Sequence, residues 1–337
     1  MVGHHKIRFA VVGYGHMGRR HAKMIGEHPD CELTAIIDIR GPVESSSVPF
    51  YNDLDLFLGS ATGAGTDVVI VATPNGLHAA HALKSLSAKK HVLIEKPMAL
   101  NSADAEAIIV KAADVQRQVY IMMQNRFSPI SLWLKEITDS GVLGKIFMVQ
   151  VNCFWNRDGR YYKKGNWHGT TELDGGVLFT QFSHFVDLLY WCFGGITNIR
   201  ARMNNFSHDD SIEIEDTSIV HFDFVKGGMG CLNYTTSVWD KNLESSITII
   251  AENGSVKVSG QYMDRIEYCH VNNYSNPDIK KIRSGSGNRT GFTDAEMNHQ
   301  RFIQYMIRGI RNGDTGDSNG EDGLKVVNII GRIYRSI

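Results

Sequence analysis

Short apolar runs alternate with amphipathic stretches over the first 124 residues of the chain. Each run is bounded by turn residues and has the length of a strand, whereas the stretches between the runs carry apolar residues at helical spacing. This alternation predicts a parallel sheet with helices on both faces. The predicted strands are Ile7–Val12, Leu33–Ile37, Val68–Ala72, His91–Ile94 and Val119–Met123, and the predicted helices include His16–His28, Leu77–Ser87 and Ser102–Gln116.

The pattern changes near Asn125, where longer strands replace the strand–helix repeat. Turns such as Glu252-Asn253-Gly254 join these strands and favour an open, mainly antiparallel sheet. A predicted helix over Gly175–Gly194 interrupts the strands, and helices at Thr293–Asn312 and Glu321–Ile337 close the chain. The remaining predicted elements are a helix at Ile130–Ser140 and strands at Lys145–Phe154, Ile196–Asn204, Thr217–Phe224, Met229–Thr236 and Ser246–Ala251.

Composition agrees with two ordinary globular domains and narrows the class of partner. The chain has 337 residues, of which 42% are hydrophobic and 21% charged, and its formal net charge is −1. This balance allows a sizeable core and argues against a nucleic-acid partner. We therefore predict an α/β protein with a doubly wound parallel domain over residues 1–124. A second α/β domain over residues 125–337 has a large, open, mainly antiparallel sheet, and its C-terminal helices could return to the first domain.

The cysteines and the hydropathy bear on the cell compartment and on metals. Cys31, Cys153, Cys192, Cys231 and Cys269 are dispersed, and none forms a C-x-x-C pair or a cluster with histidine at metal-ligand spacing. We therefore expect reduced thiols and no metal site. Reduced thiols favour a cytoplasmic protein. Because no apolar run reaches about 18 residues, we also expect no membrane span.

A glycine motif opens the first predicted helix. Gly13-Tyr14-Gly15-His16-Met17-Gly18 follows the strand Ile7–Val12. Glycines there permit a tight turn and a close backbone approach, and the helix N-terminus binds a pyrophosphate. Asp38 ends the second strand, where a carboxylate binds the adenosine ribose hydroxyls and repels a 2′-phosphate. We predict that this Rossmann domain binds NAD through the motif, Asp38 and Ile39, although the nearby Arg40 could tolerate a 2′-phosphate.

Two further polar segments follow predicted strands, on the side of such a sheet where ligands bind. Thr73-Pro74-Asn75 ends one strand, and His78 lies just inside the next helix. Glu95-Lys96-Pro97 ends another strand. We expect Thr73, Pro74, Asn75, His78, Glu95 and Lys96 to contribute to the cofactor site, and Lys96 to bind a substrate oxygen as well.

In this order the motifs resemble the Gfo/Idh/MocA oxidoreductase family. The matching elements are the glycine motif, Thr73-Pro74-Asn75 with His78, Glu95-Lys96-Pro97, Asn125-Arg126-Phe127 and Gly175–Asp187, and they extend over essentially the whole chain. The resemblance implies an NAD-dependent dehydrogenase of sugars or cyclitols, forming a homodimer or homotetramer through its C-terminal sheet. It also implies that Asn125 and Arg126 contribute to cofactor binding. A cis peptide bond before Pro97, aiming Lys96 inward, is a further implication.

One position departs from the family pattern. His184 and Asp187 match it, but Thr180 occupies the place of a frequent catalytic aspartate. A threonine hydroxyl forms hydrogen bonds but does not titrate. The role of general base therefore falls on His184, because the unperturbed pKa of histidine, about 6.5, suits proton transfer near neutrality. Thr180 lies four residues earlier, so we expect it on the same helical face, where it positions His184 or the substrate.

The segment before this helix narrows the substrate. Residues 160–164 and 167–170 resemble the branch of the family that oxidises C3 of UDP-linked N-acetylated uronic acids for surface polysaccharides. The basic residues Arg157, Arg160, Lys163 and Lys164 can donate to a carboxylate or a diphosphate, and the aromatic residues can stack on a sugar or a base. The expected substrate contacts are Lys96, Arg160, Tyr161, Trp167, His168, Thr170, Thr180, Gln181 and His184.

Two other functions remain open at this point. A myo-inositol or free-aldose dehydrogenase of the same family usually keeps the aspartate that Thr180 replaces. A non-catalytic NAD-binding regulatory protein would not need both Lys96 and His184. The sequence therefore favours an NAD-dependent sugar dehydrogenase with Lys96, Thr180 and His184 as its catalytic residues and a small-molecule sugar or nucleotide sugar as its substrate.

Overall fold

A computed structural model describes residues 5–41, 47–208, 211–260, 263–275, 294–314, 316 and 318–337. The helices are α1 (His16–Glu27), α2 (Leu54–Leu58), α3 (Ala61–Gly65), α4 (His78–Ser87), α5 (Ser102–Asp114), α6 (Pro129–Asp139), α7 (Val177–Thr180), α8 (Ser183–Phe193), α9 (Asp294–Asn312) and α10 (Gly320–Tyr334). The strands are β1 (Ile7–Val12), β2 (Cys31–Ile37), β3 (Phe50–Tyr51), β4 (Val68–Val71), β5 (His91–Ile94), β6 (Val119–Ile121), β7 (Ile146–Phe154), β8 (Ile196–Asn204), β9 (Thr217–Phe224), β10 (Met229–Thr235), β11 (Glu244–Ala251), β12 (Gly254–Ser259) and β13 (Arg265–Val271). Short 3₁₀ turns occupy Asn75–Leu77 and Gln124–Phe127.

The described chain divides into two compact units. The first comprises the residues up to Met122 together with Ile303–Val327, and the second comprises Met123–Phe302 with Asn328–Ile337. The chain therefore re-enters the first unit within α9 and leaves it again within α10. None of the described helices combines the length and the apolar character that crossing a membrane requires.

The sheet of the first unit has the strand order β3-β2-β1-β4-β5-β6 within the described residues, and every neighbouring pair is parallel. All four residues of β4 are buried, and so are all residues of β1 except Arg8. Such continuous burial is typical of strands that are covered on both faces. The predicted doubly wound sheet is confirmed, and its strand order reverses between β1 and β4, where such sheets bind ligands.

The sheet of the second unit has the described strand order β13-β12-β11-β7-β10-β9-β8. Only β7 and β10 run parallel among its described neighbouring pairs, so the predicted mainly antiparallel sheet is confirmed. Thr235 at the end of β10 and Glu244 at the start of β11 both pair with Phe154 at the end of β7. The chain after β7 and the connection from β10 to β11 therefore meet at one edge of this sheet.

The alternation along these strands separates a buried face from an open one. Val149 and Val151 of β7 and Val220 of β9 are completely buried. On the opposite face Met148, Ile219 and Met229 are 40%, 59% and 60% exposed. The buried face forms part of the core of the second unit.

The sequence prediction of one continuous helix over Gly175–Gly194 is wrong. The helix is interrupted at Gln181 and Phe182, which lie between α7 and α8. Phe182 has no exposed surface, and its ring centroid lies 5.0 Å from that of Trp155 and 5.4 Å from that of Tyr234. Aromatic packing within the unit outweighs helical propensity at this position. In the predicted helix Thr293–Asn312, Thr293 lies outside the described residues.

Candidate active site

The glycine turn after β1 is packed on one side and open on the other. A Cβ on Gly13, whose φ is +88°, would lie 2.6 Å from the carbonyl oxygen of Ala72, directly after β4. A Cβ on Gly18 would overlap the carbonyl oxygen of Gly13. At Gly15, by contrast, a Cβ would meet no atom within 4 Å. The turn thus has the close backbone packing and the open side that a bound dinucleotide pyrophosphate needs, so these residues fit the cofactor that the sequence predicts.

Asp38 lies beside this turn, directly after β2. Its carboxylate accepts hydrogen bonds from the backbone N–H of Tyr14 at 2.6 Å and from Nη2 of Arg40 at 2.8 Å. Burial opposes ionisation of Asp38, but the hydrogen bonds from Arg40 and Tyr14 outweigh it and lower its pKa to about 2. The side chain of Arg40 is 63% exposed and Ile39 is 91% exposed. An ionised carboxylate with an exposed guanidinium on it therefore borders the glycine turn.

His78 holds together the two loops that follow β4 and β5. Its Nδ1 lies 2.6 Å from the carbonyl oxygen of Pro97, and its Nε2 lies 2.8 Å from that of Thr73. Burial lowers the pKa of His78 and outweighs the two carbonyl groups, which favour the charged ring. The Lys96–Pro97 peptide bond is cis, which confirms the expectation, and Lys96 is half-buried. Asn75 is buried in the same turn as Thr73.

A buried histidine–carboxylate pair, which sequence reasoning did not identify, joins α1 to the end of β5. Nε2 of His21 lies 2.6 Å from Oε1 of Glu95, and neither side chain is more than 7% exposed. His21 lies in the helix that the glycine turn opens. The pair therefore links that helix to the segment that carries Lys96. His21 thus holds the side chain of Glu95 directly before that lysine, and His78 holds the carbonyl oxygen of Pro97 directly after it.

In the second unit Arg126 forms a buried ion pair with Asp187. Its guanidinium donates to both carboxylate oxygens of Asp187, at 2.6 Å in the shortest contact, and the exposed fractions are 2% and 0%. The same guanidinium lies over the ring of Trp191, 5.3 Å from the centroid. Asn125, next to it, is also buried. This pair ties the turn Gln124–Phe127 to α8, which carries Asp187 and His184.

His184 contacts a residue that the sequence analysis did not select. The amide nitrogen of Gln124 lies 3.1 Å from Nε2 of His184, which is 7% exposed. Gln124 directly precedes the Asn125-Arg126-Phe127 motif, and that position is the only sequence signal that could have pointed to it. The contact holds the ring in place, and the tautomer of His184 decides which of the two groups donates.

Thr180 does not lie on the same helical face as His184, because the chain is interrupted between α7 and α8. Its hydroxyl donates to the carboxylate of Asp174 instead. The other carboxylate oxygen of Asp174 accepts a hydrogen bond of 2.8 Å from the backbone N–H of Gly169. Asp174 is 1% exposed. The expectation of one continuous face is thus wrong, and Thr180 is linked to the segment that ends at Asp174.

An open cleft of about 390 Å³ lies at the sheet edge where β7 ends. Its lining consists of Asn156, Arg157, Asp158, Arg160 and Tyr161. Arg157 donates through Nε to the side-chain oxygen of Gln181 at 2.8 Å, and Gln181 donates to the hydroxyl of Tyr161 at 2.6 Å. Arg160 is 66% exposed, and its Nη2 lies 2.7 Å from a carboxylate oxygen of Asp158. The structure thus joins Gln181 directly to Tyr161, both predicted site residues, and links Arg157 to Gln181.

Aromatic rings continue from this cleft along the predicted substrate segment. The ring of His168 lies 4.3 Å from that of Tyr161 and stacks on that of Trp167 at 3.9 Å, measured between centroids. Burial raises the pKa of Tyr161, which therefore stays protonated at neutral pH. Thr170 donates to the carbonyl oxygen of Trp167 at 2.7 Å and so closes the turn that carries these rings. The segment offers ring faces and neutral donors suited to a sugar or a base.

Two family descriptions match the chain. Residues 7–123 match an oxidoreductase family described as having an NAD-binding Rossmann fold, and residues 132–257 match the GFO/IDH/MocA C-terminal domain. The two matches follow the chain order expected from the motifs.

Solved structures and curated sequences give similar proteins over the whole chain. The WlbA dehydrogenase from Bordetella pertussis, in complex with NADH and UDP-GlcNAcA, is 30% identical with a TM-score of 0.89, covering 100% of this chain and 96% of that chain. The corresponding WlbA complex from Chromobacterium violaceum is 31% identical with a TM-score of 0.88, covering 99% and 94%. An inositol 2-dehydrogenase of Rhizobium meliloti is 22% identical over 98% of this chain and 97% of its own length. Two other curated oxidoreductases are matched over 47% and 53% of their length, so the chain spans about half of these relatives.

Proposed function

Because the chain belongs to the Gfo/Idh/MocA oxidoreductase family, we propose that it uses NAD to oxidise C3 of a UDP-linked N-acetylated uronic acid. The observation that carries the substrate is similarity over the whole chain, at 30% and 31% identity, to two dehydrogenases crystallised with NADH and UDP-GlcNAcA. The product would serve the synthesis of surface-polysaccharide sugars. The chemistry of the cleft after β7 supports this choice.

NAD, when bound, would supply the hydride-transfer chemistry, so the residues of the protein have to remove the hydroxyl proton and stabilise the reacting oxygen. We assign proton removal to His184, because the unperturbed pKa of histidine, about 6.5, suits proton transfer near neutrality. Gln124, 3.1 Å from Nε2, orients the ring. Lys96 supplies a cationic donor to the reacting oxygen, which stabilises the negative charge that develops there. Its loop is fixed by His78.

Of the remaining residues predicted for the cofactor site, we assign some to direct contact with NAD and others to positioning the residues that make that contact. The glycine turn, Asp38 and the exposed Ile39 hold the dinucleotide, together with Thr73, Pro74 and Asn75. We assign His78, Glu95 and Arg126 to positioning, because each is buried and held by a protein partner. Thr180 has the same kind of task, since its hydroxyl is committed to Asp174.

A uronic acid and a diphosphate both require cationic donors. Arg157 is half-buried in the cleft, next to Gln181 and Tyr161, and we assign the sugar carboxylate to it. Arg160 lies exposed at the rim and is already paired with Asp158. A diphosphate would compete with that carboxylate for the guanidinium, so we assign binding of the substrate diphosphate to Arg160.

The open face of the second sheet supports a homo-oligomer. Met148, Ile219 and Met229 are exposed together on this face, which is the kind of surface that a subunit contact covers. We propose a homodimer or homotetramer formed through it, and light scattering that gave the monomer mass would contradict this assembly.

A thermal-shift screen in the presence of NAD tests the proposed substrate. A ligand that binds only the native state at 100 times its Kd adds about 2.7 kcal/mol of stability. UDP-GlcNAcA should raise the unfolding midpoint more than UDP-GlcNAc, the matched sugar without the carboxylate, and free sugars should have little effect. A shift with free inositol and with no UDP-sugar would contradict the proposal and favour a polyol dehydrogenase.

A further inference from the structure

The connection from β10 to β11 crosses the end of β7, and the topology of the sheet requires this. β7 lies between β10 and β11, so residues 236–243 cannot form a hairpin between adjacent strands. They pass instead over the point where the chain leaves β7 and enters the cleft wall at Asn156–Tyr161. This crossing turn, residues 237–242, presents Trp239, which is 91% exposed.

Hydrogen bonds hold the crossing turn to the cleft wall on both sides of Trp239. The Asn156 side chain donates to the carbonyl oxygen of Val238 at 2.7 Å, and Nη2 of Arg160 donates to the carbonyl oxygen of Asp240 at 2.9 Å. The side chain of Asn242 accepts a hydrogen bond of 3.0 Å from the backbone N–H of Asn156. Three contacts thus fix the backbone around an indole that has almost no protein neighbours.

The exposure of Trp239 differs from that of other tryptophans in the same unit. Trp133 and Trp155 are 4% and 7% exposed, and their indole N–H groups donate to Tyr274 and Ser245. Asp240, next to Trp239, has a φ of +57°, an uncommon conformation for a residue other than glycine. The crossing turn therefore holds a large apolar ring in solvent next to the cleft.

We propose that Trp239 is a stacking platform for the nucleobase of the substrate at the outer end of the cleft, where it favours nucleotide-linked over free sugars without selecting the base. The proposal rests on the proposed function, which supplies a nucleoside diphosphate. A flat ring of this size offers its face to any base, and stacking of this kind is sequence-tolerant. Arg160 binds the crossing turn and also lines the cleft, so a cationic donor lies next to the turn that carries the indole. The order base, phosphate and uronate then follows Trp239, Arg160 and Arg157.

Titration of UMP by calorimetry tests the platform without the uronic acid and without turnover. Trp239→Ala should weaken UMP binding about tenfold or more, as the loss of base stacking does elsewhere. Trp239→Phe, which keeps a ring, should stay within about threefold of the wild type. Leu243→Ala provides the matched control, because Leu243 follows the crossing turn and is also exposed, at 73%. Its UMP affinity should not change.

The outcomes separate this inference from the function on which it rests. If the wild type binds UMP and Trp239→Ala binds it equally well, the platform is wrong and the proposed function stands. If the wild type binds neither UMP nor UDP-GlcNAcA, the proposed function fails and the platform fails with it. If Trp239→Ala keeps its UMP affinity but changes the mass of the assembly in solution, Trp239 belongs to a subunit contact instead, which also overturns the platform.

Discussion

Breaking the Arg126–Asp187 pair should destabilise the second unit strongly. Both side chains are at most 2% exposed, and the guanidinium donates to both carboxylate oxygens. Replacing Asp187 with Asn leaves a buried guanidinium without its counter-charge, and removing one partner of such a pair costs about 3–5 kcal/mol. In a unit of this size each kcal/mol shifts the melting temperature by roughly 2–4 °C. We therefore expect Asp187→Asn to melt roughly 6–20 °C below the wild type.

Urea unfolding followed by tryptophan fluorescence measures this loss, and Trp191 lies directly beside the pair. Asp55→Asn is the control, because the Lys84–Asp55 pair is exposed and its loss should cost less than about 1 kcal/mol. A loss below 1 kcal/mol for Asp187→Asn would refute the reasoning, since it would mean that water reaches the guanidinium.

The same pair can be replaced rather than broken. The double variant Arg126→Met/Asp187→Leu removes both charges, and we expect it to recover most of the lost stability. It also separates the two roles considered for Arg126. If Arg126 only positions the chain around α8, the double variant should bind NADH with the affinity of the wild type. Weakened NADH binding in a variant of recovered stability would restore Arg126 to the cofactor contacts.

Three further predictions concern the cofactor, the catalytic residues and a titrating carboxyl group. Fluorescence titration should show that NADH binds at least tenfold more tightly than NADPH, a difference of about 1.4 kcal/mol in binding free energy. Asp38→Ser should narrow this difference. Equal affinities of the wild type for the two cofactors would contradict the role of Asp38. Lys96→Met and His184→Asn should keep NADH binding while kcat falls on the order of 10²-fold, with Thr180→Ala milder, and near-normal turnover would remove the residue from the mechanism. Burial raises the pKa of Glu215 from 4.5 to about 7 and outweighs hydrogen bonds from two tyrosine hydroxyls. The folded state therefore binds the extra proton, and the stability of the wild type relative to Glu215→Gln should fall by about 2–3 kcal/mol between pH 5 and 8. If the free energies of unfolding of the wild type and Glu215→Gln, measured in urea, differed by a constant amount across this pH range, the result would contradict the raised pKa.

Much of the fold follows from local pattern. β1, β5, β8 and β9 have the predicted bounds, because their apolar runs or alternation end at clear turn residues. The edge strand β13 was not predicted, since Arg265, Glu267 and His270 are exposed and weaken its alternation. Sequence alone predicts a strand best where burial is regular.

In the candidate site, likewise, sequence predicts some features and misses those that depend on tertiary contacts. The glycine turn follows from a motif whose geometry is local, and the cis bond before Pro97 follows from the family resemblance of its motif. The partners of Glu95 and Asp187 lie 74 and 61 residues away along the chain, so no spacing rule identifies them. The break between α7 and α8 depends on the packing of Phe182, which is likewise a tertiary contact.

Steady-state reduction of NAD by the wild-type protein tests the central claim most directly. The substrates are UDP-GlcNAcA, UDP-GlcNAc, free N-acetylglucosamine and myo-inositol, assayed with and without a ketone scavenger in case oxidation is uphill. Binding energy from the remote carboxylate and diphosphate should position C3, so we predict that kcat/KM falls by several orders of magnitude when the nucleotide is removed. It should also fall on loss of the carboxylate alone. Good rates with free inositol and none with either UDP-sugar would contradict the account.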